Sequence, residues 1–209
     1  MSDVKVITAL KPQKQGKRVN LFLDNEFALG LSREVVAEAG IQLGQKLSQA
    51  EVEELRQAEL LQRALAQALN FLSYRPRSKA EIKTKLSRLG YEEEIIQKTI
   101  NRLQEMGLAD DAAFAKFWKE NRESFSPRSK RLLARELRGK GIDPELIGEV
   151  INEVDNELEA YRAGQKKARS LSQLNYFDFR KKLSAFLYRR GFNYEVIKPV
   201  VERLWQERA

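Results

Sequence analysis

A fifty-residue repeat is the feature that most constrains the fold of this chain. Gly90, Gly141 and Gly191 lie 51 and 50 residues apart, and each ends a basic segment. The first two segments, RPRSKAEIKTKLSRLGY and SPRSKRLLARELRGKGI, are similar almost residue by residue. Apolar residues recur four and eight positions before each glycine, namely Ile82, Leu86, Leu133, Leu137, Leu183 and Leu187. This spacing predicts one buried face of a helix that ends at glycine.

A second helix is predicted after each glycine. Apolar residues recur six, ten and thirteen positions after it, which places them on one helical face. They are Ile96, Ile100 and Leu103, then Ile147, Ile151 and Val154, then Ile197, Val201 and Leu204. Glu92, Asp143 and Asn193 stand at the predicted N-caps, with Pro144 at a first helical position.

A further helix precedes each basic segment, over residues 49–73, 110–124 and 157–173. Three units of three helices are therefore predicted, each similar to a helix-turn-helix bundle. The expected fold is mainly α, an elongated and curved tandem array in which each unit buries part of its apolar face against its neighbours. The predicted bounds of the units are 48–108, 109–154 and 155–209.

Residues 1–47 differ from the rest, because VKVITAL, RVNLFL and EFALGL are typical of strands. They predict a small antiparallel sheet with a tight hairpin at Asp24-Asn25 and a mobile loop over Lys11–Lys17. A short helix is expected over 32–40, and the capping-box sequence S-x-x-E opens the long helix that follows it.

The composition disfavours catalysis. The 209 residues include no cysteine and no histidine, which excludes thiolate chemistry, Cys/His zinc sites and the commonest general base. No phosphate-binding loop or nucleophile motif occurs. Asp110 and Asp111 suit a metal ion, but they precede a predicted helix, where a capping carboxylate is the favoured interpretation. No cofactor is expected.

No segment approaches the ~18 apolar residues of a membrane span, and the start lacks the apolar run of a signal peptide. We expect a soluble, cytoplasmic monomer.

The positive charge is concentrated in the repeat. The whole chain carries +8, whereas residues 75–90, 126–141 and 176–191 together carry +14, so the remainder is acidic. If the units stack regularly, their basic helices form a positive stripe along one side. Such a stripe suits a phosphate backbone or an acidic groove, although charged residues also simply cover the solvent-exposed faces of helices. The predicted contacts are Lys79, Lys83, Arg88, Lys130, Arg135, Arg138, Arg180 and Lys181, with Arg77, Arg128, Arg189 and Arg190 as additional candidates.

Aromatic residues near the basic helices could stack on bases, although packing is the favoured interpretation for aromatics on helices. They are Tyr74, Phe125, Tyr176 and Tyr188. Trp118 and Trp205 lie at apolar helical spacings and are assigned to packing.

The segments GLADDAAFAKFWKENR and PRSKRLLARELRGKGI, preceded by ALNFLSYRPRSKAEIKTKLSRLGY, resemble the sequence pattern of the RecX regulatory proteins. The resemblance covers residues 68–154, and the repeat register extends it to the C-terminus. Two departures stand out: Ala109 replaces a larger aliphatic residue, and the third copy lacks the Pro-Arg pair.

The resemblance implies a modulator of RecA, the recombinase that polymerises on single-stranded DNA with ATP. RecX proteins lodge in the groove of the RecA filament, limit its extension and inhibit its ATPase and strand-exchange activities, and many bind DNA directly. Such a protein takes part in DNA repair, recombination and the SOS response. The basic contacts named above come from the charge stripe and are not transferred from the family.

Two other functions remain open at this point. A helix-turn-helix regulator would use one dominant recognition helix and usually a dimer, whereas the charge here is spread over three units. A general binder of single-stranded DNA would need no protein partner.

Overall fold

The computed structural model describes residues 4–14 and 16–208. The N-terminal region contains strands β1 (Val4–Pro12), β2 (Arg18–Leu23) and β3 (Glu26–Ser32), helix α1 (Arg33–Glu38) and strand β4 (Lys46–Ser48). Nine further helices follow in the described part of the chain. They are α2 (Gln49–Leu72), α3 (Lys79–Arg88), α4 (Glu93–Glu105), α5 (Asp111–Phe125), α6 (Lys130–Gly139), α7 (Pro144–Asn152), α8 (Asn156–Arg169), α9 (Tyr176–Arg189) and α10 (Tyr194–Gln206). The predicted class, three sets of three helices after a small antiparallel sheet, is confirmed.

The sheet has four antiparallel strands in the order β3-β2-β1-β4. Its hairpin turns at Asp24 and Asn25, whose φ angles of 49° and 69° confirm the predicted tight turn. The prediction of a loop over Lys11–Lys17 is wrong at its first two residues, because β1 continues to Pro12 by pairing with β2. Gln15 of that loop lies outside the described residues.

The chain forms two compact units. The first contains the residues up to Arg75 together with Ile82–Leu108. Its sheet buries Leu21 and Leu31 against α1 and the start of α2, and α2 packs on α4. The capping box at Ser48 is present, with its hydroxyl and the Glu51 carboxylate exchanging hydrogen bonds with each other's backbone N–H groups.

The second unit contains Pro76–Glu81 and the residues from Ala109 onward. It has one core among α5, α6 and α7 and another among α8, α9 and α10. Leu137 and Leu187, four positions before their glycines, are completely buried in these two cores. Leu86 is equally buried in the first unit, so the predicted structural role of all three leucines is confirmed.

The C-terminal end of α6 lies against the residues that begin α3. The Ser78 hydroxyl donates to the carbonyl of Lys140 at 2.7 Å, and the Lys140 ammonium pairs with Glu81 at 2.6 Å. A Cβ added to Gly141 would lie 2.4 Å from the Cβ of Ala80. Gly141 is therefore required both for its φ of 74° and for this close approach.

The C-terminal end of α9 contacts the start of α6 in the same way. The Ser129 N–H donates to the carbonyl of Arg190 at 3.1 Å, and a Cβ on Gly191 would lie 2.5 Å from the Ser129 hydroxyl. By contrast, a Cβ on Gly90 would meet no heavy atom within 4 Å among the described residues.

The starts of α5 and α8 cap the basic helices before them in the chain. The Asp111 carboxylate accepts from the N–H of Lys79 at 2.9 Å, and the Asn156 side chain accepts from the N–H of Lys130 at 2.9 Å. Asp110 caps its own helix by accepting from the N–H groups of Ala112 and Ala113, as predicted. Each carboxylate of the Asp pair thus satisfies the N-terminus of a different helix.

The third basic helix begins earlier than the other two. Helices α3 and α6 start eleven positions before their glycines, whereas α9 starts fifteen positions before Gly191. The difference of four residues is about one helical turn. At the position of Ser78 and Ser129, the third copy has Phe179, which is fully buried near Trp205.

We expect Gly141→Ala to lower the free energy of unfolding more than Gly90→Ala. Both substitutions incur ~1–2 kcal/mol for a left-handed backbone. Only the first also forces a methyl group against Ala80, at a further cost of ~1–3 kcal/mol. Urea unfolding followed by circular dichroism measures the difference, and equal destabilisation by the two variants would contradict the close approach of α6 to Ala80.

Candidate functional site

Seven of the twelve predicted basic residues are exposed. They are Lys83, Arg88, Arg135, Arg138, Arg180, Lys181 and Arg189. The other five are partly buried, namely Arg77, Lys79, Arg128, Lys130 and Arg190. In the first two copies the partly buried cations come first, because Arg77 and Arg128 precede the basic helices and Lys79 and Lys130 are their first residues.

Several of the basic residues predicted to contact a partner interact with other residues of the protein itself. Lys83 forms an ion pair with Glu93, and the Lys130 ammonium donates to the carbonyl of Asn152 at 3.3 Å. Arg128 lies 3.6 Å from the Glu136 carboxylate. An exposed pair such as Lys83–Glu93 exchanges readily with another anion, since surface ion pairs contribute little free energy.

Arg190 differs from Arg189 beside it. Its guanidinium donates at 3.1 Å to the Ser126 hydroxyl and at 3.1 Å to the carbonyl of Pro127. Burial lowers the pKa of the Arg190 guanidinium, and the nearby charge of Arg128 lowers it further. The structure thus turns Arg190 inward and leaves Arg189 facing solvent.

Two adjoining grooves bring five of the predicted residues together. One, of about 390 Å³, lies between α6 and α9 and contains Arg135, Arg138 and Arg189. The other, of about 790 Å³, lies between α9 and α10 and contains Arg180, Lys181 and Arg189. Tyr188 and Arg189 line both grooves, so the two are continuous.

Three aromatic side chains stand among these cations. Phe177, Tyr188 and Tyr194 line the grooves, and the side chain of Tyr188 is 69% exposed. Among the residues that the structure describes, no aspartate or glutamate lines either groove. We call this region the basic-aromatic surface, and its residues are Arg131, Arg135, Arg138, Phe177, Arg180, Lys181, Tyr188, Arg189 and Tyr194.

The basic-aromatic surface contains residues that the sequence interpretation missed. Arg131 precedes Arg135 by four and Arg138 by seven positions, a spacing that signals one helical face. Tyr194 belongs to the next helix, and only the packing of α10 on α9 places it here. Lys83 and Arg88 belong to the first unit and stay separate predictions.

Of the four predicted stacking aromatics, Tyr188 alone lines these two grooves. Tyr74 and Phe125 are exposed elsewhere, and Tyr176 packs edge-on against Trp205 at 5.2 Å between ring centroids. Trp118 stacks on Phe114 at 5.8 Å, in agreement with its assignment to packing.

The surface combines the two properties that single-stranded nucleic acid requires. Arginine and lysine attract phosphates, and exposed rings offer faces on which bases stack.

A search of the described helices for a membrane-spanning segment finds none with the necessary length and apolar character.

Four family models match the chain in consecutive order. The regulatory protein RecX N-terminal domain matches residues 5–48. The first, second and third three-helix domains of RecX match residues 64–103, 110–151 and 158–201.

Curated proteins and solved structures are similar over most of the chain. The regulatory protein RecX of Lactobacillus johnsonii is 32% identical over 95% of this chain and 74% of its own length. That of Listeria welshimeri is 30% identical over 93% of this chain and 74% of its own length. A crystal structure of a regulatory protein RecX matches with a TM-score of 0.72 at 23% identity, over 95% of this chain and 99% of its own.

A second crystal structure, of RecX from Lactobacillus salivarius, matches with a TM-score of 0.59 at 26% identity, over 70% of this chain and 97% of its own. The matches to the four domain models and the extended identity to curated relatives agree with one another. The chain belongs to the RecX family of regulatory proteins.

Proposed function

We propose that this protein is a non-catalytic regulator of recombination that binds the RecA filament on single-stranded DNA. It acts in the cytoplasm as a monomer, lodges in the helical groove of the filament, limits filament extension and inhibits ATP hydrolysis and strand exchange. The observation that carries the proposal is a continuous basic-aromatic surface, to which the described residues contribute no carboxylate, on a member of a family of regulatory proteins.

The composition of this surface supports a filament as the partner. The filament groove presents protein beside a phosphate backbone, and the surface offers arginines beside an apolar floor that includes Ala185 and Ile197. Arginine binds phosphate and carboxylate oxygens through the same forked geometry. A surface of this kind can therefore contact DNA and an acidic protein face in one binding event.

We expect inhibition of RecA at protein concentrations far below that of RecA. A modulator that stops filament extension acts at few sites, whereas competition for DNA requires enough protein to cover the strand. The measurement is ATP hydrolysis by RecA on single-stranded DNA, titrated with this protein. Inhibition only near saturation of the DNA, and falling steeply with salt, would indicate a general nucleic-acid binder.

The variant Arg135→Glu, Arg138→Glu, Arg189→Glu should raise the concentration for half-inhibition at least about tenfold. This change corresponds to a loss of about 1.4 kcal/mol of binding free energy. All three residues are exposed, so we expect unchanged helicity and unfolding temperature.

A matched control reverses the same number of charges outside the grooves. Lys14, Lys46 and Lys198 are exposed and have no ion pair among the described residues. If Lys14→Glu, Lys46→Glu, Lys198→Glu weakens inhibition equally, net charge and not the basic-aromatic surface determines binding. The triple variant Lys79→Glu, Lys83→Glu, Arg88→Glu tests the first copy of the stripe in the same assay.

Tyr188→Ala should weaken binding to a fluorescein-labelled oligothymidylate by about 5- to 150-fold. Stacking of a base on an aromatic ring contributes ~1–3 kcal/mol, and replacing this exposed ring costs little stability. Fluorescence anisotropy measures the affinity. Tyr74→Ala is the control, since its side chain is 77% exposed and lies outside the grooves. Equal affinity of the Tyr188 variant and the unmodified protein would show that the ring does not stack.

A further inference from the structure

A cationic cavity lies on the other side of α9 from the basic-aromatic surface. It measures about 530 Å³ and is formed by the end of α5, the middle of α8 and the end of α9. Phe186 and Arg190 of α9 face it, four positions apart and hence on one side of the helix. Tyr188 is two positions from each of them, about 200° around the helix, and lines the grooves instead.

The lining of this cavity is strongly positive. In the described part of the chain, one carboxylate lines it, that of Glu123, and four cations, Arg162, Lys166, Arg169 and Arg190. Arg162 pairs with the buried Glu159 at 2.8 Å. The other three cations have no ion pair with a carboxylate in the described part of the chain. A concave site with three unpaired cations raises the local concentration of anions.

Arg190 is held in place without an anion. Its guanidinium lies 4.6 Å from the centroid of the Phe186 ring and donates to the Ser126 hydroxyl and the carbonyl of Pro127. A partly buried charge loses hydration, and a pairing anion restores that lost interaction. The orientation of the guanidinium is fixed before any ligand arrives, which reduces the entropy lost on binding.

The cations of this site suit a phosphate group, which has several oxygens to contact at once. Two unpaired arginines each offer a fork of N–H donors, and a lysine offers a compact ammonium group. Together they can contact several oxygens at once. Phe125, whose side chain is 76% exposed, adds an aromatic face to the lining. The cavity is within the ~300–1,000 Å³ of pockets that enclose small ligands.

We propose that this cavity is a nucleotide site. Lys166, Arg169 and Arg190 hold the phosphates, and the base stacks on Phe125. The same chemistry is offered by a free nucleoside diphosphate and by the 5′-phosphorylated end of a DNA strand. The site is independent of the RecA-directed function proposed above, because its ligand is small and its residues lie on a different side of α9.

The test is binding to the full-length protein by isothermal titration calorimetry. The probes are ADP, inorganic pyrophosphate, and oligothymidylates with and without a 5′-phosphate. The cavity variant is Lys166→Glu, Arg169→Glu, in which both residues are exposed and have no ion pair among the described residues, so folding is retained. The control is Lys14→Glu, Lys46→Glu, which makes the same charge change at exposed residues that line neither this cavity nor the basic-aromatic surface.

We expect ADP to bind and its affinity to fall at least tenfold in the cavity variant but not in the control. Phe125→Ala should weaken ADP and leave pyrophosphate unchanged. If ADP fails to bind, but the 5′-phosphate strengthens oligothymidylate binding and only the cavity variant removes that gain, the site takes the strand end. Absence of all phosphate-dependent binding, or equal loss in both double variants, would overturn the proposal.

Discussion

The second unit depends on one kind of contact between its basic helices. The C-terminal end of one basic helix, which finishes at a glycine, contacts the serine that begins another. The carbonyls of Lys140 and Arg190 lie at helix ends, where carbonyls lack partners within their own helix. The Ser78 hydroxyl and the Ser129 N–H donate to them from the start of the preceding basic helix. These bonds require glycine on one side and a small residue on the other, which explains why both residue types recur in the basic segments.

Ion pairs within the protein determine which of the basic residues remain available to a polyanion. The first two basic segments contain one carboxylate each, and both carboxylates pair within the protein. Glu81 pairs with Lys140, while Glu136 pairs with Arg122 at 2.7 Å and accepts from the Trp118 indole at 2.9 Å. The two carboxylates therefore neutralise three partly buried cations, Lys140, Arg122 and Arg128. The exposed cations keep their charge for a polyanion, so internal stability and external affinity use different members of one basic sequence.

The repeat period predicted the helices, their buried faces and most caps, because these depend on residues a few positions apart. It did not predict that Asp111 caps α3 from 32 positions away, or that β4 pairs with β1. Nor could it separate Arg189 from Arg190, since a helical period specifies the side of a helix but not which neighbour covers that side. The sequence predicted most of the cations of the basic-aromatic surface. It did not predict Tyr194, because only tertiary packing places that residue there.

The third copy departs from the repeat at the start of its basic helix. In the first two copies, a serine just before the basic helix hydrogen-bonds to the end of another basic helix, whereas the third copy has no serine at that position. Its helix continues for one more turn, starting from the cap at Asn175, and Phe179 fills the core where a serine would stand. That extra turn carries Phe177 into the groove beside Arg180 and Lys181. The earlier start of the third basic helix thus supplies an aromatic ring to its surface.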